Sequence, residues 1–188
     1  MFQPRDAVLY LRKYEGVVNF MYLDVVGLVT TGVGFLLTDA AAAGPLAFTR
    51  RDTGAPATDD EKRADWEAVH ARPKAELAAN YRPFTLLDLA DAAIDLELTR
   101  RIDGFVKNLQ NRFPQFDEFP DTAQIGLLDM VYSLGAGGLF RGFPRFCSAV
   151  DQQDWPACAR EGFRGNVSPA RNHELQQLFL AAAGLEVS

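Results

Sequence analysis

The apolar positions of the chain change period along its length. Over residues 4–14, Val8, Leu11 and Tyr14 recur at helical spacing behind Pro4 and Asp6, which suit a first turn. Gly16 then offers the left-handed residue that commonly ends a helix. Residues 20–37 are rich in Val, Phe, Tyr and Thr, with glycines at 27, 32 and 34, and predict a β-hairpin or small meander with its tip near Val26-Gly27. Residues 38–57 are small, Gly/Pro-containing and unpatterned, and predict a loop.

Thr58 and Glu61 stand at capping-box spacing, so a helix is expected from about Asp59 to about Asn80, with Pro73 kinking or splitting it. A long helix follows from about Leu86 to Arg112. Ile94, Leu98, Ile102, Phe105 and Leu109 form one continuous stripe on it, and Pro114 stops it. The remainder is expected as short helices, one over about 121–134 broken by GAGG, and others over about 144–152, 154–163 and 168–183. The predicted class is α+β and mainly helical, in a single domain. A small mixed lobe with the hairpin covers about 1–85, a connecting helix about 86–113, and a helical lobe about 114–188.

Composition is that of an ordinary globular domain, with 48% hydrophobic and 23% charged residues in 188. The net charge of −6 and the absence of a basic stripe interleaved with aromatics argue against nucleic acid as a partner. No apolar run reaches the ~20 residues of a membrane span, and the N-terminus lacks the basic and apolar regions of a signal peptide. Because the chain starts almost directly with a helix, a domain cut from something longer is an open expectation. Cys147 and Cys158 are read as small core residues on neighbouring helices, with a disulfide as the alternative, and His70 and His173 as surface residues. Neither pair offers a zinc site or a nucleophile–histidine arrangement, and no metal or cofactor is expected.

The predicted hairpin carries the chemistry. Glu15 stands at a helix C-terminus, where the helix dipole disfavours negative charge and raises a carboxyl pKa. Asp24 and Thr30 flank the hairpin tip, so the two strands can bring them near one another. For each residue alone, a frayed helix end, a turn former or a strand residue is a sufficient explanation. Together they supply what glycosidic hydrolysis requires. That reaction needs a carboxylic acid kept protonated, an ionised carboxylate in a wetter place, and here a hydroxyl is available to hold a water.

The run E-G-x6-L-D-x2-G-x2-T-x-G-x-G over residues 15–34 resembles the catalytic signature of phage-type lysozymes, glycoside hydrolase family 24. Glu15, Asp24 and Thr30 match that family's three functional residues with no gap. The segments DMVYSLGAGGLFRGF (129–143), QQDWPACA (152–159) and SPARN (168–172) resemble its later helices more loosely. The resemblance implies a lysozyme-like fold and an inverting muramidase acting on peptidoglycan glycan strands. It also implies sugar contacts at Leu36 and Tyr132, and an arginine, Arg171, that pairs with the catalytic glutamate.

The chain departs from the family pattern at Phe35, where histidine is frequent, and at Tyr14, where an acid is frequent. It is also acidic, and longer by some two dozen residues between about 38 and 120. The stretch RRDTGAPATDDEKRADW is similar to muramidase domains of secretion-system effectors, which resemble pesticin-like bacteriocins. The expected role is therefore an antibacterial effector domain, made in the cytoplasm and delivered to a target cell wall, with a cognate immunity or inhibitor protein as a candidate partner. A phage endolysin, a lytic transglycosylase and a non-catalytic glycan- or inhibitor-binding domain are the alternatives.

Overall fold

The computed structural model describes residues 4–165 and 167–185, with the backbone alone for residues 4–6 and Glu15. The chain is mainly helical with small antiparallel sheets, an α+β arrangement. In order it runs α1 (Pro4–Glu15), β1 (Val18–Leu23), β2 (Val29–Gly32), β3 (Phe35–Leu36), β4 (Phe48–Arg50), α2 (Asp59–His70), β5 (Leu87–Leu89) and α3 (Asp91–Arg112). Then come α4 (Asp121–Gly142), α5 (Pro144–Asp151), α6 (Trp155–Glu161) and α7 (Pro169–Ala182). Among the described residues no helix is long and apolar enough to cross a membrane.

The chain divides into two units. One holds the chain up to Tyr14 and from Thr99 on, and the other Glu15–Leu98. This differs from the lobes expected at 1–85, 86–113 and 114–188 in two ways. First, α1 belongs with the later helices, because its buried Ala7, Val8 and Leu11 make it a core element of that unit. Second, the division falls inside α3 and not at its ends. Ile94 and Leu98 are core residues of one unit, while Ile102 and Leu109 are core residues of the other.

In the Glu15–Leu98 unit, β1–β2–β3 form an antiparallel meander. Gly16 (φ +69°) ends α1 in the left-handed conformation that its glycine supplies without steric cost. Gly32 (φ +62°) is held by packing as well, since a Cβ there would lie 2.6 Å from the Phe35 ring. Phe35 is itself fully buried, an apolar ring of the core.

A second sheet, β4 with β5, was not expected. Residues 38–57 read as loop and 86–90 as helix, yet Phe48, Thr49 and Arg50 pair with Leu89, Asp88 and Leu87. Long-range polar contacts fix it. Arg51 donates to the Thr85 carbonyl (2.7 Å) and to Asp88 (2.9 Å), and the buried Asp65 carboxylate accepts the N–H groups of Leu86 and Leu87 at 3.0 Å. Burial pushes the Asp65 carboxyl pKa up, against the pull of those two N–H bonds.

Helix α2 begins as expected. The Thr58 hydroxyl accepts the Glu61 N–H at 3.3 Å and Glu61 accepts the Thr58 N–H at 2.8 Å. It ends at His70, well before Asn80, because the residue preceding Pro73 is biased away from helical geometry.

In the helical unit, α4 breaks at Gly135 (φ 67°, ψ 160°), within the predicted GAGG. Helices α5, α6 and α7 lie within a residue or two of their expected ranges. Cys147 and Cys158 are free and buried, and burial pushes the Cys158 thiol up to about 12, which makes it an inert core residue. His70 is exposed and stacks on Trp66 at 4.5 Å between centroids, and His173 is exposed.

Candidate functional site

The β1–β2 hairpin is built around Asp24. Its N–H donates to the Leu28 carbonyl at 2.9 Å, and the Gly27 N–H returns to the Asp24 carbonyl at 3.0 Å. Gly27 has φ +91°, so the connection is a tight turn closed by a left-handed glycine. Asp24 also uses its side chain. Oδ1 accepts the N–H of Val26 (3.0 Å) and of Leu28 (2.8 Å), the local bonding for which Asp is favoured in turns. These bonds fix the carboxylate plane while engaging only one oxygen. Among the described residues Oδ2 accepts no hydrogen bond, and the side chain is half-buried. The turn-forming reading and the chemical one are therefore compatible in one residue.

Thr30 lies on β2, directly opposite Tyr22 on β1 and Leu36 on β3. Residues paired across strands share a face, so the register lines up Tyr22, Thr30 and Leu36. Thr30 is only 4% exposed, and its hydroxyl donates to the Leu28 carbonyl at 3.1 Å. With its proton committed, Oγ1 presents lone pairs and acts as an acceptor toward any further partner. Leu36, at 39% exposure, offers an apolar surface beside it. Thr30 and Leu36 thus lie on neighbouring strands and Asp24 in the turn that joins β1 to β2, and the Leu28 backbone touches both Asp24 and Thr30.

Glu15 is the last residue of α1, as expected, so its backbone sits where the helix dipole disfavours an anion. Its side chain lies outside the described residues, and with it the expected pairing with Arg171.

Tyr132 and Arg171 belong to the helical unit. Tyr132 is half-buried and meets Phe105 edge-on at 5.7 Å between centroids. Arg171 is neither an ordinary solvated helix arginine nor an open sugar contact, for it is 6% exposed. Its Nε and Nη2 donate to Asp129 Oδ1 at 2.9 and 2.6 Å, and its Cζ lies 5.7 Å from the Tyr14 ring centroid.

Sequence reasoning missed the rest of that network. Arg164 is buried, donates through Nη2 to Asp129 Oδ2, and reaches Ser133 Oγ at 2.7 Å. Asn172 holds the Arg164 backbone, accepting its N–H at 3.1 Å and donating to its carbonyl at 2.8 Å. A signal was available. Asp129 interrupts the apolar run Leu127-Leu128-Asp129-Met130-Val131, and a carboxylate at a core position demands cationic partners. Tyr10 lies nearby, and burial, then Asp129, raise its phenol above the ordinary range.

A groove of about 460 Å³ in the other unit is lined by Arg50, Arg51, Glu61, Asp65 and Leu87 and contains none of the expected site residues. Of its charged groups Arg50, Arg51, Glu61 and Asp65 already hold partners, while Asp52, which also lines it, is exposed. Arg50 binds Glu61 through two bonds, at 2.6 and 3.1 Å, and the hydrogen bond from Arg50, then that from the Thr58 N–H, lowers Glu61 to about 2. Most of the groove's polar chemistry therefore serves the β4–β5 sheet and the start of α2.

In comparisons with known proteins, no family model matches the chain and no curated protein matches it.

Proposed function

We propose that the chain is a muramidase with a lysozyme-like fold, hydrolysing the β-1,4 bond between N-acetylmuramic acid and N-acetylglucosamine. The observation that carries the reading is the state of the Asp24–Thr30 hairpin. One Asp24 oxygen is fixed by two turn N–H groups and the other is unbonded among the described residues, while the Thr30 hydroxyl has spent its proton on Leu28. A water between them donates one hydrogen bond to Asp24 Oδ2 and one to Thr30 Oγ1. Its lone pair is then left to attack an anomeric carbon.

The reaction follows from these roles. Glu15 gives its proton to the leaving O4 as the C1–O4 bond breaks. Water adds to C1 and passes its proton to Asp24. Proton exchange with solvent resets both carboxyls. Adding water opposite the leaving group inverts the anomeric centre, as the family resemblance implies. The alternative single-glutamate route to an anhydro-sugar has no use for Asp24 or for an acceptor hydroxyl beside it. The reading extends to peptidoglycan as partner and to a cell wall reached after delivery. The acidic charge and the stretch at 50–66 favour an antibacterial effector over a phage endolysin.

Asp24→Asn keeps the Oδ1 acceptor of the turn but removes the base. In a reducing-end assay on purified peptidoglycan it is expected to lower kcat by about 10²–10⁴-fold with little change in KM, the span of a lost general base. Wild-type rates in this variant would remove Asp24 from the mechanism.

A further inference from the structure

The segment after α2 bears on the same hairpin turn. Lys74 lays its aliphatic stem across Gly27, with Cδ 3.0 Å and Cβ 3.3 Å from the position a glycine Cβ would take. Gly27 lies three residues after Asp24 and donates its N–H to the Asp24 carbonyl. The stem therefore rests on the turn that fixes the proposed base.

Two further observations show that Lys74 is held there. The carbonyl of Pro73, its neighbour, accepts a 2.6 Å hydrogen bond from the hydroxyl of Tyr81, which is buried. Ala75, on its other side, has φ +68°, a left-handed conformation that costs a non-glycine residue energy. A strained residue and a buried anchor bracket the lysine. Its side chain is exposed, and among the described residues no carboxylate pairs with its ammonium.

We infer that Lys74 is a specificity residue that binds a carboxylate of the peptidoglycan strand beside the Asp24 turn. The inference rests on the proposed substrate. Peptidoglycan is anionic through the carboxylates of its stem peptides, and through the lactyl carboxylate of muramic acid once peptides are removed. A chain of net charge −6 does not attract such a polymer by bulk charge. A local ammonium whose donors are unshared among the described residues supplies that attraction where the glycan must be aligned.

The test compares Lys74→Gln and Lys74→Arg with the unsubstituted protein, each on a Glu15→Gln background that permits binding without turnover. Dissociation constants are measured by calorimetry for three soluble probes. These are glycan oligomers with free stem carboxylates, the same oligomers with those carboxylates converted to carboxamides, and peptide-stripped strands retaining only the lactyl carboxylate.

Lys74→Gln is expected to weaken binding about fivefold to a carboxylate-bearing probe, the scale of a solvent-accessible ion pair. It should not change binding to the carboxamide probe, and Lys74→Arg should restore most of the loss. A loss confined to the first probe identifies the stem carboxylate, and a loss confined to the third identifies the lactyl one. Binding by Lys74→Gln as tight as that of the unsubstituted protein on every probe, or an equal loss on the carboxamide probe, overturns the inference. The two readings fail separately. Glycan cleavage by wild type with no Lys74 effect removes only this inference, whereas the Lys74 pattern without cleavage by wild type removes only the hydrolysis.

Discussion

Glu15→Gln is expected to abolish clearing of purified peptidoglycan, with kcat falling by about 10²–10⁴-fold or more. Glutamine has nearly the shape of glutamic acid, but its amide carries no proton acidic enough to transfer to a departing O4. The loss should fall on kcat, because the interaction is made as the leaving oxygen gains charge and not when the glycan binds. The helix end on which Glu15 sits gives a reason for its protonation. The dipole of α1 disfavours a carboxylate at its C-terminus, even with Arg12 and Lys13 in the last turn. For the same reason, replacing the acid by a neutral amide should leave stability unchanged or slightly raised. Circular dichroism and a urea titration would check this alongside the activity. A variant that folds and clears peptidoglycan at the wild-type rate would remove Glu15 as the acid.

Asp129→Ala is expected to have the largest effect on stability. The carboxylate is fully buried and accepts from two buried arginines, Arg164 and Arg171. Removing it strips both guanidinium groups of their shared anion inside the helical unit, a change that costs about 3–5 kcal/mol for a buried pair. Against a typical total of about 5–15 kcal/mol, that is a large part of the stability of the fold. Asp129→Asn retains an acceptor oxygen of similar shape and should lose less than Asp129→Ala, though still more than a surface change. The measurement is the urea midpoint at constant slope, with the order wild type, Asn, Ala. An unchanged midpoint in the alanine variant would mean that the arginines draw no net stability from Asp129. This prediction concerns folding alone and holds whatever the protein acts upon.

The legible parts of the fold were those written locally. The Thr58–Glu61 capping box, the Ile94–Leu98–Ile102–Phe105–Leu109 stripe, buried except for a half-buried Phe105, the Gly16 stop and the Gly135 break each involve residues close in sequence, and each stands where expected. The hairpin was legible for the same reason, since Asp24 and Gly27 make their turn within a few residues.

The β4–β5 sheet was not legible. Its strands are three residues each, too short for a period, and they are held by the bond from Arg51 to Asp88 across the sheet and by Asp65 from α2. Helix α3 accordingly starts at Asp91, because Leu87–Leu89 pair as a strand before it. At the site, the spacing of Asp24 and Thr30 located them, but not the direction of the Thr30 hydroxyl. That depends on the position of the Leu28 carbonyl in the folded turn. Arg171 was singled out by resemblance, while its burial and its bond to Asp129 are tertiary facts. Lys74 carried no signal at all, because only the folded chain lays it across Gly27.

The most direct test of the account is the chemical nature of the ends produced from purified peptidoglycan. Mass spectrometry of the wild-type digest, before and after borohydride reduction, distinguishes the possible products. Hydrolysis by Glu15, Asp24 and a water predicts fragments ending in reducible N-acetylmuramic acid. Fragments ending in non-reducible anhydro-muramic acid, fragments ending in reducible N-acetylglucosamine, or an uncut polymer would contradict it.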